Sequence, residues 1–328
     1  MRLLHISSLA NRYKLKLIAI LFLFVVRNAM SQSVTAVYKN PSDSTENYYL
    51  KVVPKGTIES CIVFIPGLFQ TPEELLLETG IEETANEKGC LLIVPIQTKT
   101  SLHFEKRSME FLTRVVSEVF SKYQIKNKNL IIGGFSSGGA LAMLYSEKVL
   151  THEINGVEPK GLFMVDSPLD YQRVSLNELK SATEQELDFE KNKYDKMPTY
   201  FIFKFKESFG QNYLTNKEFL SSSPYVRSDT ACTNIRSLVN LPVRFYSEPD
   251  LEFFYLRNPE KFEPNFLNIL DGAPLIKDLK RIGNTKSELI ITKNKGYRHT
   301  QKERHPHSVS IVDPEELLKW IDRILKTK

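Results

Sequence analysis

The stretch from Asn129 to Lys148, NLIIGGFSSGGALAMLYSEK, constrains the fold more than any other part of the chain. A short apolar run meets four glycines and two serines, then passes at once into an alanine- and leucine-rich helical pattern. Within it, Gly134-Phe135-Ser136-Ser137-Gly138 fits G-x-S-x-G. A strand that reverses into a helix within two residues forces the central residue into a strained backbone, and side chains two before and two after it collide. Glycine is therefore required at both places. Gly134 and Gly138 meet this condition around Ser136, whereas Phe135 stands two before Ser137. Such a turn lifts the Ser136 hydroxyl above the sheet edge and aims the Ser137 N–H at a substrate oxygen, aided by the positive end of the helix. A glycine-rich loop before a helix can also cradle phosphate, but neither the G-K-[ST] of a P-loop nor G-x-G-x-x-G is present. The bland alternative is a glycine-rich strand–helix junction without chemistry.

Either side of this turn, short apolar runs alternate with helical patterns. VTAVYK and NYYLKVVPK read as a strand pair. CIVFIPG is followed by a helix from Thr71 to about Lys88, with Thr71 as cap, Pro72 in the first turn and Glu74 three residues after the cap. CLLIVPIQ, a long amphipathic helix ending near Tyr123, NLIIGGF with its helix, and KGLFMVDSP continue the pattern. It breaks over residues 170–240, a polar, partly helical block rich in Ser, Lys, Asn and aromatics. It resumes with LPVRFYSE, a helix within residues 259–283, ELIITKN, a basic loop, and a last helix signed by Asp313, Pro314 and Glu316. Continuous apolar strands separated by helices predict a mostly parallel sheet covered on both faces. The irregular block joins two consecutive strands, so it is expected to be a lid inserted at the sheet's C-terminal edge, where ligands bind in such folds.

Charge narrows the function further. The chain has 44 basic and 39 acidic residues, but Arg2, Arg12, Lys14, Lys16 and Arg27 all lie in residues 1–31, which hold no acid. The remaining 39 basic and 39 acidic residues cancel, so residues 32–328 exert no long-range pull on nucleic acid or acidic membranes. YFIFKFKESF interleaves aromatics with lysines, and packing of the inserted block is the reading preferred over a base-stacking surface. Residues 1–31 read as an export signal: a basic stretch, the ten apolar residues Leu17–Val26, and Ala29 and Ser31 before a cut that leaves Gln32 first. The expected destination is periplasmic or extracellular, with no stable membrane insertion after cleavage; a retained anchor is the alternative. Cys61, Cys90 and Cys232 are odd in number and widely spaced, which gives no disulfide framework and favours buried thiols.

In these features, above all FLTRVVSEVFSKYQIKNKNLIIGGFSSGGALAMLYSE, the chain resembles the α/β-hydrolase superfamily. Within it the chain is similar to secreted esterases of the polyhydroxyalkanoate depolymerase, feruloyl and acetylxylan esterase type. The resemblance implies an eight-stranded α/β-hydrolase fold with the nucleophile after the fifth strand. It places an acid after the seventh or sometimes the sixth strand, and a histidine after the eighth.

A serine hydroxyl needs a base to take its proton. His103 and His152 read as structural. His299, His305 and His307 lie in KGYRHTQKERHPHSVSIVD, where the resemblance places the base. His307 is preferred, because HSVS resembles the H-S-W segment of related esterases with Val309 in place of the tryptophan; His305 and His299 are alternatives. For the acid, Asp250 on the Pro-led turn after VRFYSE is preferred over Glu248 and Asp166. Related enzymes often carry His-Gly after the third strand, and here Pro66-Gly67 leaves the N–H of Leu68 or Phe69 to join that of Ser137 in an oxyanion hole. The expectation is a serine hydrolase acting on a small-molecule or glycan-linked carboxylic ester through an acyl-enzyme, with no cofactor and no metal. The alternatives are a peptidase on the same fold and a non-catalytic binding protein.

Overall fold

The computed structural model describes residues 34–40, 42, 46–96, 106–181, 197–257, 259–260 and 262–326. The segment read as an export signal and His103 lie outside these residues. Eight strands make one sheet: β1 (Thr35–Tyr38), β2 (Tyr48–Val52), β3 (Ser60–Ile65), β4 (Cys90–Ile96), β5 (Leu130–Phe135), β6 (Pro159–Val165), β7 (Val243–Ser247) and β8 (Ser287–Ile291). Their spatial order is β1-β2-β4-β3-β5-β6-β7-β8. The pairs β1–β2 and β2–β4 are antiparallel, and every pairing from β4 through β3 to β8 is parallel.

The central strands alternate sides with period two and are buried on both. Cys61, Val63 and Ile65 of β3 point into one hydrophobic layer, and Ile62 and Phe64 into the other; β4 and β5 divide likewise. The second layer is closed by α1 (Pro72–Thr79), α2 (Ile81–Glu87) and, at the end of the chain, α10 (Pro314–Lys326), which buries Leu317, Leu318, Trp320 and Ile321. The first layer is closed by α3 (Lys106–Lys122), α4 (Ser137–Leu150) and a later helix, α9 (Ile269–Arg281).

The start of α1 follows its sequence signature. Thr71 Oγ1 accepts from the Glu74 N–H at 3.1 Å, and Glu74 Oε2 accepts from the Thr71 N–H at 2.8 Å. The single helix expected to run to Lys88 is instead two, because Gly80 takes a left-handed conformation (φ 60°) that ends α1 and redirects the chain into α2.

Between β6 and β7 the chain forms α5 (Tyr171–Ser181), α6 (Met197–Phe209) and α7 (Lys217–Ser222). Phe205 is fully buried there among Tyr171, Tyr213 and Phe219 at ring distances of 5.6, 5.7 and 4.9 Å. The block is tied down at its entry by Asp271 of α9. That fully buried carboxylate accepts from the Leu169 N–H at 2.8 Å, the Asp170 N–H at 3.1 Å and Arg173 Nη2 at 2.6 Å. Between β7 and α9 lies a short helix, α8 (Leu251–Arg257), and beyond β8 a small hairpin of β9 (Tyr297–Arg298) and β10 (Glu303–Arg304) leads to α10.

Candidate active site

β5 ends directly beneath the turn that the glycines demand. Ser136 has φ 51° and ψ −125°, a conformation that L-residues rarely adopt. A Cβ on Gly134 would lie 2.2 Å from the Gly138 carbonyl carbon, and one on Gly138 would lie 2.3 Å from the Pro66 oxygen. The turn is pinned by the Ser136 N–H donating to the Val165 carbonyl at 2.8 Å and the Gly139 N–H donating to the Ser136 carbonyl at 3.0 Å. Ser137 is the first residue of α4, so its N–H lies at the open, positive end of that helix.

The imidazole that meets Ser136 belongs to His307. Its Nε2 lies 3.2 Å from Ser136 Oγ, and its Nδ1 lies 2.6 Å from Asp166 Oδ2. An imidazole protonated at Nδ1 donates to that carboxylate and leaves Nε2 to accept the serine hydroxyl. The ring packs on Phe135 at 4.8 Å. Its backbone is fixed at both ends: the His307 N–H donates to His305 Nδ1 at 3.1 Å, and the His307 carbonyl accepts from Arg298 Nη2 at 3.0 Å.

Asp166 is the first residue after β6 and also has a positive φ, 43°. Its N–H donates to the Tyr246 carbonyl at 2.8 Å, its carbonyl accepts from Asn268 Nδ2 at 2.8 Å, and its Oδ1 accepts from Ser247 Oγ at 2.9 Å. Backbone and side chain are thus both held, with one carboxylate oxygen left for His307.

Asp250, the acid preferred from sequence, is placed elsewhere. It caps α8, where its Oδ1 accepts from the Phe253 N–H at 2.9 Å, and its Oδ2 pairs with Arg304 at 2.5 Å. The Phe253 N–H first, and Arg304 after it, hold its carboxyl below the usual range. Glu248 is buried and serves as a clamp: it accepts from the N–H groups of Lys295 and Gly296 at 2.8 and 3.2 Å and from Arg304 at 3.0 Å. Neither acid bonds His307.

The other two histidines of the segment are not at Ser136. His305 spends its Nδ1 on the His307 N–H and packs against Phe253 at 5.3 Å, and burial pushes its pKa down to about 3. His299 is exposed and stacks edge-on with Tyr297 at 5.1 Å. His152 sits in the turn after α4 with φ 60°.

The loop after β3 runs against the serine turn. A Cβ on Gly67 would lie 2.9 Å from the Phe135 ring and 3.2 Å from Ser136 Cβ, so only glycine lets the backbone come this close. Leu68 and Phe69 follow directly, Phe69 with φ 63°, and both line a cleft of about 560 Å³ over Ser136. Gln70 orders this loop: the Gly67 N–H donates to Gln70 Oε1 at 3.2 Å, and the Gln70 N–H donates to the Gly67 carbonyl at 3.1 Å. Gln70 carried one local signal in the sequence, its spacing of three residues from Gly67. Arg298, the other residue that sequence reading passed over, gave no signal within its basic loop.

The cleft is lined by two kinds of side chain, aromatic and polar. Phe201 of α6, Phe254 of α8, Phe262 and Phe266 supply the first; Glu74, Glu78, Arg298 and Thr300 supply the second. The packing expected of YFIFKF holds for Tyr200 and Phe205, which are buried, while Phe201 lines the cleft. Glu178 of α5 also lines the cleft, and burial lifts its pKa to about 7.

The architecture is found in solved structures. An S-formylglutathione hydrolase from Agrobacterium tumefaciens matches with a TM-score of 0.52 and 12% identity over 90% of this chain and 99% of that one. A fluorophosphonate-binding serine hydrolase from Staphylococcus aureus matches with a TM-score of 0.53 and 14% identity over 90% and 99%. An acylaminoacyl peptidase from Pyrococcus horikoshii matches with a TM-score of 0.56 and 13% identity over 92% of this chain and 43% of that one. No family model matches the sequence, and no curated protein matches it. Likeness at these identities shows the fold: the chain has an α/β-hydrolase fold, its eight-stranded sheet parallel except at the β1–β2 edge.

Proposed function

We propose that this α/β-hydrolase fold carries a serine hydrolase acting on carboxylic esters, with Ser136 as nucleophile, His307 as general base and Asp166 as the orienting acid. The observation that carries the reading is the unbroken line from Ser136 Oγ through both nitrogens of His307 to Asp166 Oδ2, with gaps of 3.2 and 2.6 Å. In this reading Ser136 Oγ attacks the ester carbonyl carbon while its proton passes to His307 Nε2. Asp166 stabilises the imidazolium that forms. The Ser137 and Leu68 N–H groups hold the oxyanion of the tetrahedral intermediate. Collapse expels the alkoxide, which takes the proton back from His307. Water, deprotonated by the same imidazole, then attacks the acyl-enzyme and releases the acid. The block between β6 and β7 serves as the lid of the cleft, its Phe201 forming part of the acyl-binding wall.

The esterase reading is supported by the names of structural neighbours that span nearly their whole length on this chain, a formylglutathione hydrolase and a fluorophosphonate-binding hydrolase. A peptidase is the second reading, favoured by the acylaminoacyl peptidase match. The test compares wild type with Ser136→Ala on a panel of acyl esters, acetylated glycans and peptides, alongside fluorophosphonate labelling. Activity and labelling are expected in wild type alone, with a loss of about 10⁶-fold in kcat for the variant. Equal activity in both ends the assignment.

Export to the periplasm or the cell exterior belongs to the same proposal and rests on the sequence of residues 1–31. Amino-terminal sequencing of the protein made in its own cells is expected to begin at Gln32; an intact Met1 overturns the cleavage.

A further inference from the structure

Beside the triad, one acid stands at a junction that no step above uses. Glu78 lies on α1, half-buried, one helical turn beyond Glu74 on the cleft-facing side. Its Oε2 accepts from Gln70 Nε2 at 3.4 Å and from Ser308 Oγ at 3.2 Å. Gln70 holds the Gly67 N–H with its other end, at 3.2 Å. Ser308 is the peptide neighbour of His307 and is buried, and its one hydroxyl proton is shared between Glu78 and the Tyr297 carbonyl, 3.1 Å away. A single carboxylate oxygen therefore touches both the loop that offers Leu68 and the segment that bears the imidazole.

The chemistry of the contact gives it direction. A primary amide can sit either way round, but an ionised carboxylate accepts only. Glu78 therefore turns the Gln70 NH₂ toward itself and leaves the Gln70 carbonyl facing the Gly67 N–H. With the amide reversed, an N–H would face an N–H, and the turn over Ser136 would lose one of its two hydrogen bonds. Burial raises the Glu78 carboxyl above its ordinary value, while Ser308 and then Arg298, which holds the His307 carbonyl, favour its ionised form.

We propose that Glu78 is a positioning residue that locks the oxyanion loop to the histidine segment, so that the Leu68 N–H and the His307 ring keep one spacing through both tetrahedral intermediates. This rests on the serine-hydrolase reading. The experiment measures kcat and KM on p-nitrophenyl acetate for wild type, Ser136→Ala, Glu78→Ala, Glu78→Gln, Gln70→Ala and the Glu78→Ala/Gln70→Ala double variant, each checked for its melting transition. Glu78→Ala is expected to lower kcat by about 10- to 100-fold with KM changed less than about threefold, as a displaced catalytic group does. Glu78→Gln keeps a carbonyl that can accept from both partners but can also turn its NH₂ toward them, and is expected to recover only part of the rate. The double variant is expected to be no slower than the slower single variant, because both break one chain of contacts. A Glu78→Ala kcat within about twofold of wild type, or losses that multiply in the double variant, overturns the proposal. If Glu78→Ala does not fold, Glu78→Asp, which draws the carboxylate back from both partners, and its double variant with Gln70→Ala decide by the same multiplicativity. Activity surviving in Ser136→Ala would end the hydrolase reading itself, whereas an inactive Ser136→Ala beside a fully active Glu78→Ala ends only this proposal.

Discussion

Asp166 and Asp250 stand in nearly the same sequence setting, each just past the end of a parallel strand and next to a proline-containing turn. What separates them is where partners from distant parts of the chain arrive. Arg304 and the α8 N–H groups take Asp250, while Ser247 and Asn268 position Asp166 for His307. Proximity along the chain carries neither fact, so the turn at Ser136, its glycines and the histidine that meets it were legible, and the carboxylate that meets the histidine was not. The two substitutions separate the roles. Asp166→Asn is expected to lower kcat by about 10³- to 10⁴-fold, because the wrong imidazole tautomer is then favoured. Asp250→Ala is expected to leave kcat within a few-fold and to remove about 1 kcal/mol of stability through the lost cap. Steady-state kinetics and urea unfolding of both proteins check this; the reverse ranking of kcat would return the acid's role to Asp250.

Among the elements, those with strong local signatures formed where the residues say they should. The capping box at Thr71, the apolar runs of β3, β4 and β5, and the Pro314 start of α10 are examples. The break at Gly80 was not readable, because a glycine inside a helical pattern is tolerated as often as it ends one. α4 carries a feature that its small, apolar sequence conceals. Glu147 is buried within it, and its Oε1 has no hydrogen-bond partner among the described residues. Burial holds this carboxyl well above its ordinary value. The folded chain then keeps a proton that the unfolded chain has released, so the group's contribution to stability is complete below the unfolded value and is lost as pH climbs toward the folded one. Glu147→Gln removes that dependence. The variant's melting temperature relative to wild type is expected to rise between about pH 5 and about pH 8, and a difference that stays constant across this range would show the carboxyl to be ionised in the fold.

At the scale of the molecule, the alternation of apolar strands and helices was enough to reach a parallel sheet covered on both faces. The course of the block between β6 and β7 was not, because its anchors, Asp271 and the Phe205 cluster, depend on residues brought together only by the finished sheet. The same dependence governs the reacting groups. Ser136 and His307 are 171 residues apart in the chain, and the imidazole follows the last strand of the sheet. A nascent chain that has emerged as far as α9 thus holds a dormant hydroxyl, with nothing to draw off its proton. Under the proposed mechanism, reactivity toward bystander acyl groups is withheld until the segment after β8 has been made and laid against the serine turn, and a polypeptide interrupted before that segment stays inert toward them.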